Sequence, residues 1–409
     1  MNKRTGPLSH LRVLDLSRIL AAPWAGQLFA DLGAEVIKVE RPGNGDDTRS
    51  WGPPFLADAQ GRPTAEAAYY LAVNRGKRSI TVSIDTPEGQ QVVRDLAARS
   101  DVVLENYKVG TLARFGLDAA SLRKINPRLI YCSVTGFGQT GPRRDAPAYD
   151  FLIQAMGGLM SVTGERDGRP GAGPQKVGVP IVDLMTGMYA AVAVLAAVAR
   201  RAETGEGETI DIAMLDVQVA ALANQAMNYL LSGRAPQRQG NAHPNIQPQD
   251  VYACADGDLI LVVGNDRQFE RLCAVLGQPQ WAADERFATN AQRVRNSAEL
   301  AGLLRAAIAQ RPRAALVQAL EQAGVPAGAI NTIAEVFDDP QVRHRGMVAQ
   351  VPHPSGVTVP QLASPMRFEQ APVAAVDAPP LIGQHTQDIL RELGYDAARI
   401  AELQVRGAV

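Results

Sequence analysis

LRVLDLSRILAAPWAGQLFADLGAEVIKVE, residues Leu11–Glu40, is the stretch from which the fold class follows. Leu11–Leu16 is a largely apolar run of strand length. Ala21–Leu32 reads as a helix, with Pro23 near its first turn, where a missing amide is tolerated, and Gly33 as its stop. Ala34–Glu40 is a second strand. A strand, a helix and a strand in so short a span imply a parallel pair joined by a right-handed crossover. Further strands follow at Ser79–Ile84, Asp101–Glu105 and Leu129–Val134. Between them lie a helix opened by Thr86-Pro-Glu-Gly89 and running through Ala98, and short helices at Leu112–Phe115 and Ala119–Ile125. This alternation predicts an α/β fold with an open, mostly parallel, Rossmann-like sheet. The turn after the first strand, Ser17-Arg-Ile-Leu-Ala-Ala-Pro23, lacks GxGxxG, which argues against dinucleotide binding in the usual mode. Ligand is still expected outside the carboxyl ends of the strands.

Outward from that core the chain changes character. Arg41–Arg62 is a long irregular stretch rich in Gly, Pro and Asp, of the kind that is functional or disordered in a compact domain. Met185–Ala199 and Val217–Leu231 read as helices, and Ser232–Asp250 as irregular. From Val251 onward a hairpin around Asp256–Gly264 precedes helices at Gln268–Leu276, Ser297–Gln310 and Arg313–Gln322. Short strands at Met347–Val351 and Gly356–Val359 and a helix at Thr386–Leu393 close the chain. The expected organisation is a large α/β domain over 1–226, a small α+β domain over 227–330 and a return to the large domain over 331–409. A length of 409 residues agrees with two domains.

Hydrophobic residues make up 46% and charged residues 20%, a globular composition. A net charge of −1 supplies no field to attract nucleic acid or an anionic membrane, and neither is expected as a partner. Cys132, Cys254 and Cys273 are widely spaced and odd in number, which argues against a disulfide framework and fits a reducing compartment. No CxxC or Cys/His cluster exists, so no metal site is expected. No signal-peptide pattern follows Met1–Leu8, and the longest apolar run, Met188–Ala199, is shorter than a bilayer span. A cytoplasmic location is expected.

Val177-Gly-Val-Pro-Ile-Val-Asp183-Leu-Met-Thr-Gly-Met-Tyr189 holds a single carboxylate in an apolar, small-residue run. An extended segment over Val177–Val182 and a helix from Met185 put Asp183 at the turn into a helix. There free amides and the helix dipole favour a carboxylate. Two readings stand: Asp183 is a helix N-cap, or it is a functional carboxylate held against a desolvation cost. His10, His243, His344, His353 and His385 are scattered and form no catalytic pair by spacing. Arg41, Arg75-Gly-Lys-Arg78, Lys108 and Arg114 are candidate cations for a phosphate-rich ligand, each also readable as a solvated surface charge.

Several motifs in order carry a family resemblance. Asp15-Leu-Ser-Arg-Ile-Leu-Ala-Ala-Pro23, Leu32–Pro42, Asn74-Arg-Gly-Lys-Arg-Ser79, Asp101–Asn106, Thr204-Gly-Glu-Gly207 and Pro380-Leu-Ile-Gly-Gln-His385 resemble the class III CoA-transferases across nearly the whole chain. That family includes formyl-CoA transferase, carnitine CoA-transferase and α-methylacyl-CoA racemase. Gly45–Phe55, Ile130–Pro142 and Gly324–Asn331 are most similar to the branch that exchanges CoA between succinyl-CoA and glutarate. The resemblance implies that Asp183 is the catalytic carboxylate. It would attack the acyl-CoA thioester, form a mixed anhydride and then an aspartyl-CoA thioester, and be resolved by the acceptor carboxylate. CoA contacts are implied at Arg41, Asn106, Tyr107 and Arg114. CoA is then a substrate, with no permanently bound cofactor.

A dicarboxylate acceptor needs donors for its distal carboxylate. Arg18 at the first βα turn is the first choice, then Arg49, then His243; Arg18 could instead pair with Asp46 or Asp47. The racemase branch carries a catalytic His where this chain has Tyr149, so an acyl-CoA racemase is the weaker alternative. A non-catalytic CoA-binding protein is the third. In place of the tetraglycine lid of formyl-CoA transferase this chain has Gly240-Asn-Ala-His243. The family also implies an interlocked homodimer, for which linkers at Ile210–Val217 and Val325–Val336 would serve.

Overall fold

The structure is a computed structural model that describes residues 5–371 and 377–409. Strands β1 (Arg12–Asp15), β2 (Glu35–Glu40), β3 (Arg78–Thr81), β4 (Val102–Glu105), β5 (Ile130–Thr135) and β6 (Glu208–Ala213) form one six-stranded sheet in the order β3-β2-β1-β4-β5-β6. Every neighbouring pair is parallel, with Val13 opposite Val36 on one side and Val102 on the other. The α/β expectation holds. The strand order runs outward in both directions from β1, so the topological switch point lies between the carboxyl ends of β1 and β4.

Side chains along each strand alternate between two cores. Val13, Val36, Val102, Ile130 and Cys132 face helices α1 (Ala21–Asp31) and α5 (Ile181–Thr204). Leu14, Ile37, Val103 and Tyr131 face α2 (Pro87–Ala98) and the C-terminal helices Thr386–Leu393 and Ala397–Val405. Helices α3 (Ala119–Ile125) and α4 (Asp150–Met156) complete the elements needed for the site. Phe29 is fully buried between α1 and the sheet, so Phe29→Ala should cost about 3–5 kcal/mol.

Helix α5 starts at Ile181 and ends at Gly205, whose φ of 76° supplies the left-handed cap. Thr186, Ala190, Val194 and Ala197 form its buried stripe, while Met188, Tyr189 and Val192 are exposed. Gly187 is required where α5 crosses α1: a Cβ there would lie 2.4 Å from the Ala21 carbonyl oxygen. By length and composition alone α5 could cross a membrane; here its stripe packs on α1 and the sheet.

The chain divides into two compact units: residues 1–158, 177–226 and 340–409, and residues 159–176 with 227–339. Segment 159–176, which sequence reasoning assigned to the large domain, clusters with the second unit, where Arg238 pairs with Asp167 and Gly240 N donates to Gly164 O. The second unit carries the three-stranded antiparallel sheet Ala327–Ala329, Gly257–Val262, Gln249–Cys254. Its core includes Tyr252, Leu259, Phe269 and Phe287.

Local departures from the sequence reading have physical causes. Val217–Leu231 is two helices, Met214–Ala221 and Ala223–Ser232, broken at Ala223, where φ is 43°. Arg41–Arg62 is ordered by a 3₁₀ turn, Asp47–Ser50, capped by Asp46, and by the hairpin strand Phe55–Ala57 paired with Pro63–Ala67. The helix Ala397–Val405 was not foreseen; Asp396 caps it by accepting from Arg399 N at 2.8 Å.

Candidate active site

Asp183 lies in the first turn of α5, not at its N-cap position, which is Pro180. The cap reading is therefore corrected. The capping acceptor is Asp150, the first residue of α4: its Oδ2 accepts from Val182 N at 2.8 Å and from Asp183 N at 3.3 Å. Gln154, one turn along α4, donates to Asp150 Oδ1 at 2.6 Å and accepts from Val177 N at 2.9 Å. The two side chains thus hold both the lead-in segment and the first turn of α5. Among the described residues the Asp183 side chain makes no hydrogen bond or ion pair, so its oxygens are not engaged in holding the fold. Asp183 is half-buried, and burial, reinforced by the Asp150 charge, pushes its carboxyl up to about 7.

Tyr69 stands close to this carboxylate. Burial, then the charges of Asp183 and Asp150, raise its phenol to about 12, so it remains a neutral donor at physiological pH. Its ring meets Trp51 edge-on, with centroids 5.2 Å apart. Trp51 directly follows the 3₁₀ turn Asp47–Ser50, which borders the second feature of the site.

That feature is a cleft of about 810 Å³ at the carboxyl ends of β1, β2, β3 and β4. Arg18, Arg41, Tyr107 and Arg114 all line it. Arg41 follows β2 and Arg114 closes a short 3₁₀ turn, Leu112–Phe115; both are exposed, and neither forms an ion pair among the described residues. Lys108 lines the same cleft. Arg18 pairs with Asp47 at 3.0 Å, as one of its two readings had it, and stacks over Tyr107 at 5.5 Å. That pair is solvent-exposed and worth about 0–1 kcal/mol, so a ligand carboxylate could displace Asp47.

Two expectations are corrected, for Asn106 and Arg49, and His243 is placed in the second unit. Asn106 does not line the cleft: its amide accepts from Arg18 N at 2.9 Å and donates to Arg18 O at 2.7 Å, holding the first βα turn. Arg49 reaches the cleft wall but is buried. Its guanidinium bonds Glu40 and Glu66, with Tyr70 OH and Pro380 O completing the shell, which leaves no donor for a substrate. His243 lies in the second unit, its Nδ1 accepting from Asn245 N and its backbone amide donating to Gln249 O. Arg75, Lys77 and Arg78 are likewise paired internally, with Asp31, Asp15 and Glu35.

A family model described as CoA-transferase family III matches residues 8–386. The chain belongs to CoA-transferase family III. It is 51% identical over 393 residues to a succinate–glutarate CoA-transferase of Agrobacterium fabrum, covering 96% of this chain and 97% of that one. It is 41% identical to the succinyl-CoA:glutarate CoA-transferase of Homo sapiens, covering 98% and 90%. A crystal structure of a CaiB/BaiF family protein from Brucella suis superposes with a TM-score of 0.83 at 50% identity, covering 95% of this chain and 100% of that one.

In this CoA-transferase the residues that sequence reasoning missed are Asp150, Gln154, Tyr69 and Trp51. Asp150 had a faint signal, being a carboxylate at a helix start. Nothing local in the sequence marks it as the cap of a different helix 30 or so residues away, in the span that separates it from Val182.

Proposed function

We propose that this CoA-transferase moves CoA from succinyl-CoA to glutarate or a close dicarboxylate analogue, with Asp183 as nucleophile. The observation that carries the reading is a carboxylate free of structural bonds, raised to about 7 by burial and Asp150, in the unit that also holds the cation-lined cleft. The named activities of the relatives support the choice of donor and acceptor.

An Asp183 oxygen attacks the thioester carbonyl, the C–S bond breaks, and the products are a mixed anhydride and CoA thiolate. The thiolate attacks the aspartyl carbonyl of the anhydride and releases succinate, leaving an aspartyl-CoA thioester. Glutarate attacks that thioester and expels CoA thiolate, giving an aspartyl–glutaryl anhydride; the thiolate then attacks the glutaryl carbonyl, forming glutaryl-CoA and releasing the Asp183 carboxylate. A carboxylate pushed up to about 7 is a stronger nucleophile than an ordinary one and is still substantially ionised at neutral pH. Arg41 and Arg114 suit the CoA phosphates, Tyr107 the rest of the CoA moiety, and Arg18 the distal acceptor carboxylate. CoA serves as substrate, and no resident cofactor takes part.

The reading includes a cytoplasmic homodimer. Exposed Met188, Tyr189 and Val192 on α5 and Phe151, Leu152 and Met156 on or beside α4 give a second copy an apolar surface to cover. The testing experiment supplies succinyl-CoA with labelled glutarate in deuterated water. Labelled glutaryl-CoA without deuterium at Cα is expected. Cα exchange without acyl transfer would instead mark a racemase, which Tyr149, an exposed phenol, is ill suited to serve.

A further inference from the structure

Every polar backbone group from the Ser17 amide to the Ile19 amide is held by a side chain. Ser17 N donates to Asp15 Oδ1 at 3.0 Å, and Ser17 O accepts from Lys38 Nζ at 2.9 Å. Asn106 brackets Arg18 N and O, and Ile19 N lies 3.3 Å from both Asp46 carboxylate oxygens. Three of these clamps come from separate segments: Lys38 from β2, Asp46 from the loop after it, and Asn106 from the end of β4, across the switch point. Lys38 and Asp46 also pair with each other at 2.8 Å, both fully withdrawn from solvent.

The turn needs such restraint. Ile19 has a φ of 72°, a left-handed conformation that β-branched residues rarely adopt and that persists where the surroundings over-determine it. On one side the turn presents Arg18 to the cleft. On the other it leads directly into α1, whose Ala21 carbonyl sits against Gly187 of α5, one helical turn beyond Asp183.

We propose that Lys38, Asp46 and Asn106 are positioning residues, which template the Ser17–Ile19 turn and so fix the spacing between the CoA cleft and the Asp183 carboxylate. The proposal rests on the CoA-transferase reading above. Its consequence is separable from binding. Arg114 is carried by a separate element, and the Arg41 backbone is held by the Gly45 amide donating to its carbonyl rather than by the clamps, so CoA itself should bind as before. A nucleophile displaced by a fraction of an ångström to an ångström loses rate, because attack depends steeply on alignment.

The test uses the full chain with CoA binding by calorimetry, kcat for exchange, and thermal melting. Rate is scored with the best acceptor from a dicarboxylate panel, so a wrong acceptor counts against the substrate assignment alone. Asp46→Asn keeps the size and removes the charge that Lys38 requires. It should lower kcat by roughly thirtyfold or more with the CoA Kd within about threefold of wild type. Ile19→Gly leaves every clamp in place, suits a φ of 72°, and loosens the turn; kcat should fall by about tenfold, again at constant Kd. If Asp46→Asn fails to fold, Ile19→Gly decides the matter. A folded variant that melts earlier yet turns over within about threefold of wild type would show a purely structural role and overturn the proposal. So would a weakened CoA Kd at unchanged kcat.

Discussion

The Asp150 carboxylate accepts from the main-chain amide of Asp183 at 3.3 Å, so the residue that anchors the helix carrying Asp183 also places a second negative charge beside it. One side chain anchors the helix and adds to the shift that burial causes. Asp183 is thereby freed from capping, and burial together with that charge holds it at about 7, where a carboxylate is both nucleophilic and ionised at neutral pH.

The rate of transfer should follow that arrangement with pH. The attacking form is the anion, so kcat should rise along a one-proton limb centred near pH 7. Asp150→Asn keeps an acceptor for the helix amides and removes the charge. Because burial is the larger cause of the shift, the limb should move down only partly, by up to about one unit. A limb that stays in place in the variant would show that Asp150 does not set the titration.

Asp183→Asn should abolish transfer and change stability with a definite sign. The folded value lies above the ordinary 3.8, so the native chain holds the extra proton between about 4 and 7. The penalty of the buried charge is absent below that window and complete above it. The variant should therefore melt higher than wild type at pH 8, by the equivalent of roughly 1–2 kcal/mol after solvent screening, and no higher at pH 4. Melting curves at the two pH values check this, and a variant destabilised at pH 8 would show that the Asp183 charge carries no burial penalty.

Arg41→Ala and Arg114→Ala should raise the KM for acyl-CoA more than they lower turnover. Each removes a charge-assisted contact far from the reacting carbonyl, costing about 1.5–3 kcal/mol, or about ten- to a hundredfold in affinity. Steady-state kinetics with direct CoA titration measures both. Unchanged CoA affinity in both variants would detach the cleft from CoA.

The two arginines first weighed for the distal carboxylate should now part company. Arg18→Met should depress transfer to glutarate far more than to a monocarboxylate of similar length, and Asp47→Asn, which releases Arg18 from its exposed partner, should leave that preference standing. Arg49→Met should strand Glu40 and Glu66 without their cation and destabilise the fold by about 3–5 kcal/mol, with no selective effect on either acceptor class. Acceptor-panel kinetics and denaturant melts separate the two outcomes.

Five of the six strands were legible as strand-length runs between turn residues, and Leu11–Glu40 alone carries a full crossover unit; β6 was not, because Glu208–Ala213 alternates polar and apolar residues and read as part of a linker. Arg41 and Arg114 were legible as cations in βα loops and Asp183 as a lone carboxylate at a helix start, while Tyr107 entered only through the family resemblance. Arg49 was not, because one sequence cannot show that Glu40, Glu66, Tyr70 and Pro380 converge on it from four segments. Asn106 failed for a related reason: an amide at a strand end serves a ligand or a neighbouring loop equally well, and only the adjacency of β1 and β4 decides. Asp150 was hidden in the same way, since its targets, Val182 and Asp183, are tertiary neighbours.

The central claim is that the Asp183 carboxylate carries the covalent intermediates. The most direct measurement is to incubate the enzyme with succinyl-CoA, quench with hydroxylamine or borohydride, and map the modified residue by peptide mass spectrometry. The account predicts modification at Asp183 and at no other acid, absent in Asp183→Asn. Full transfer activity with Asp183 unmodified, or with the adduct on Asp150 or another carboxylate, would contradict it.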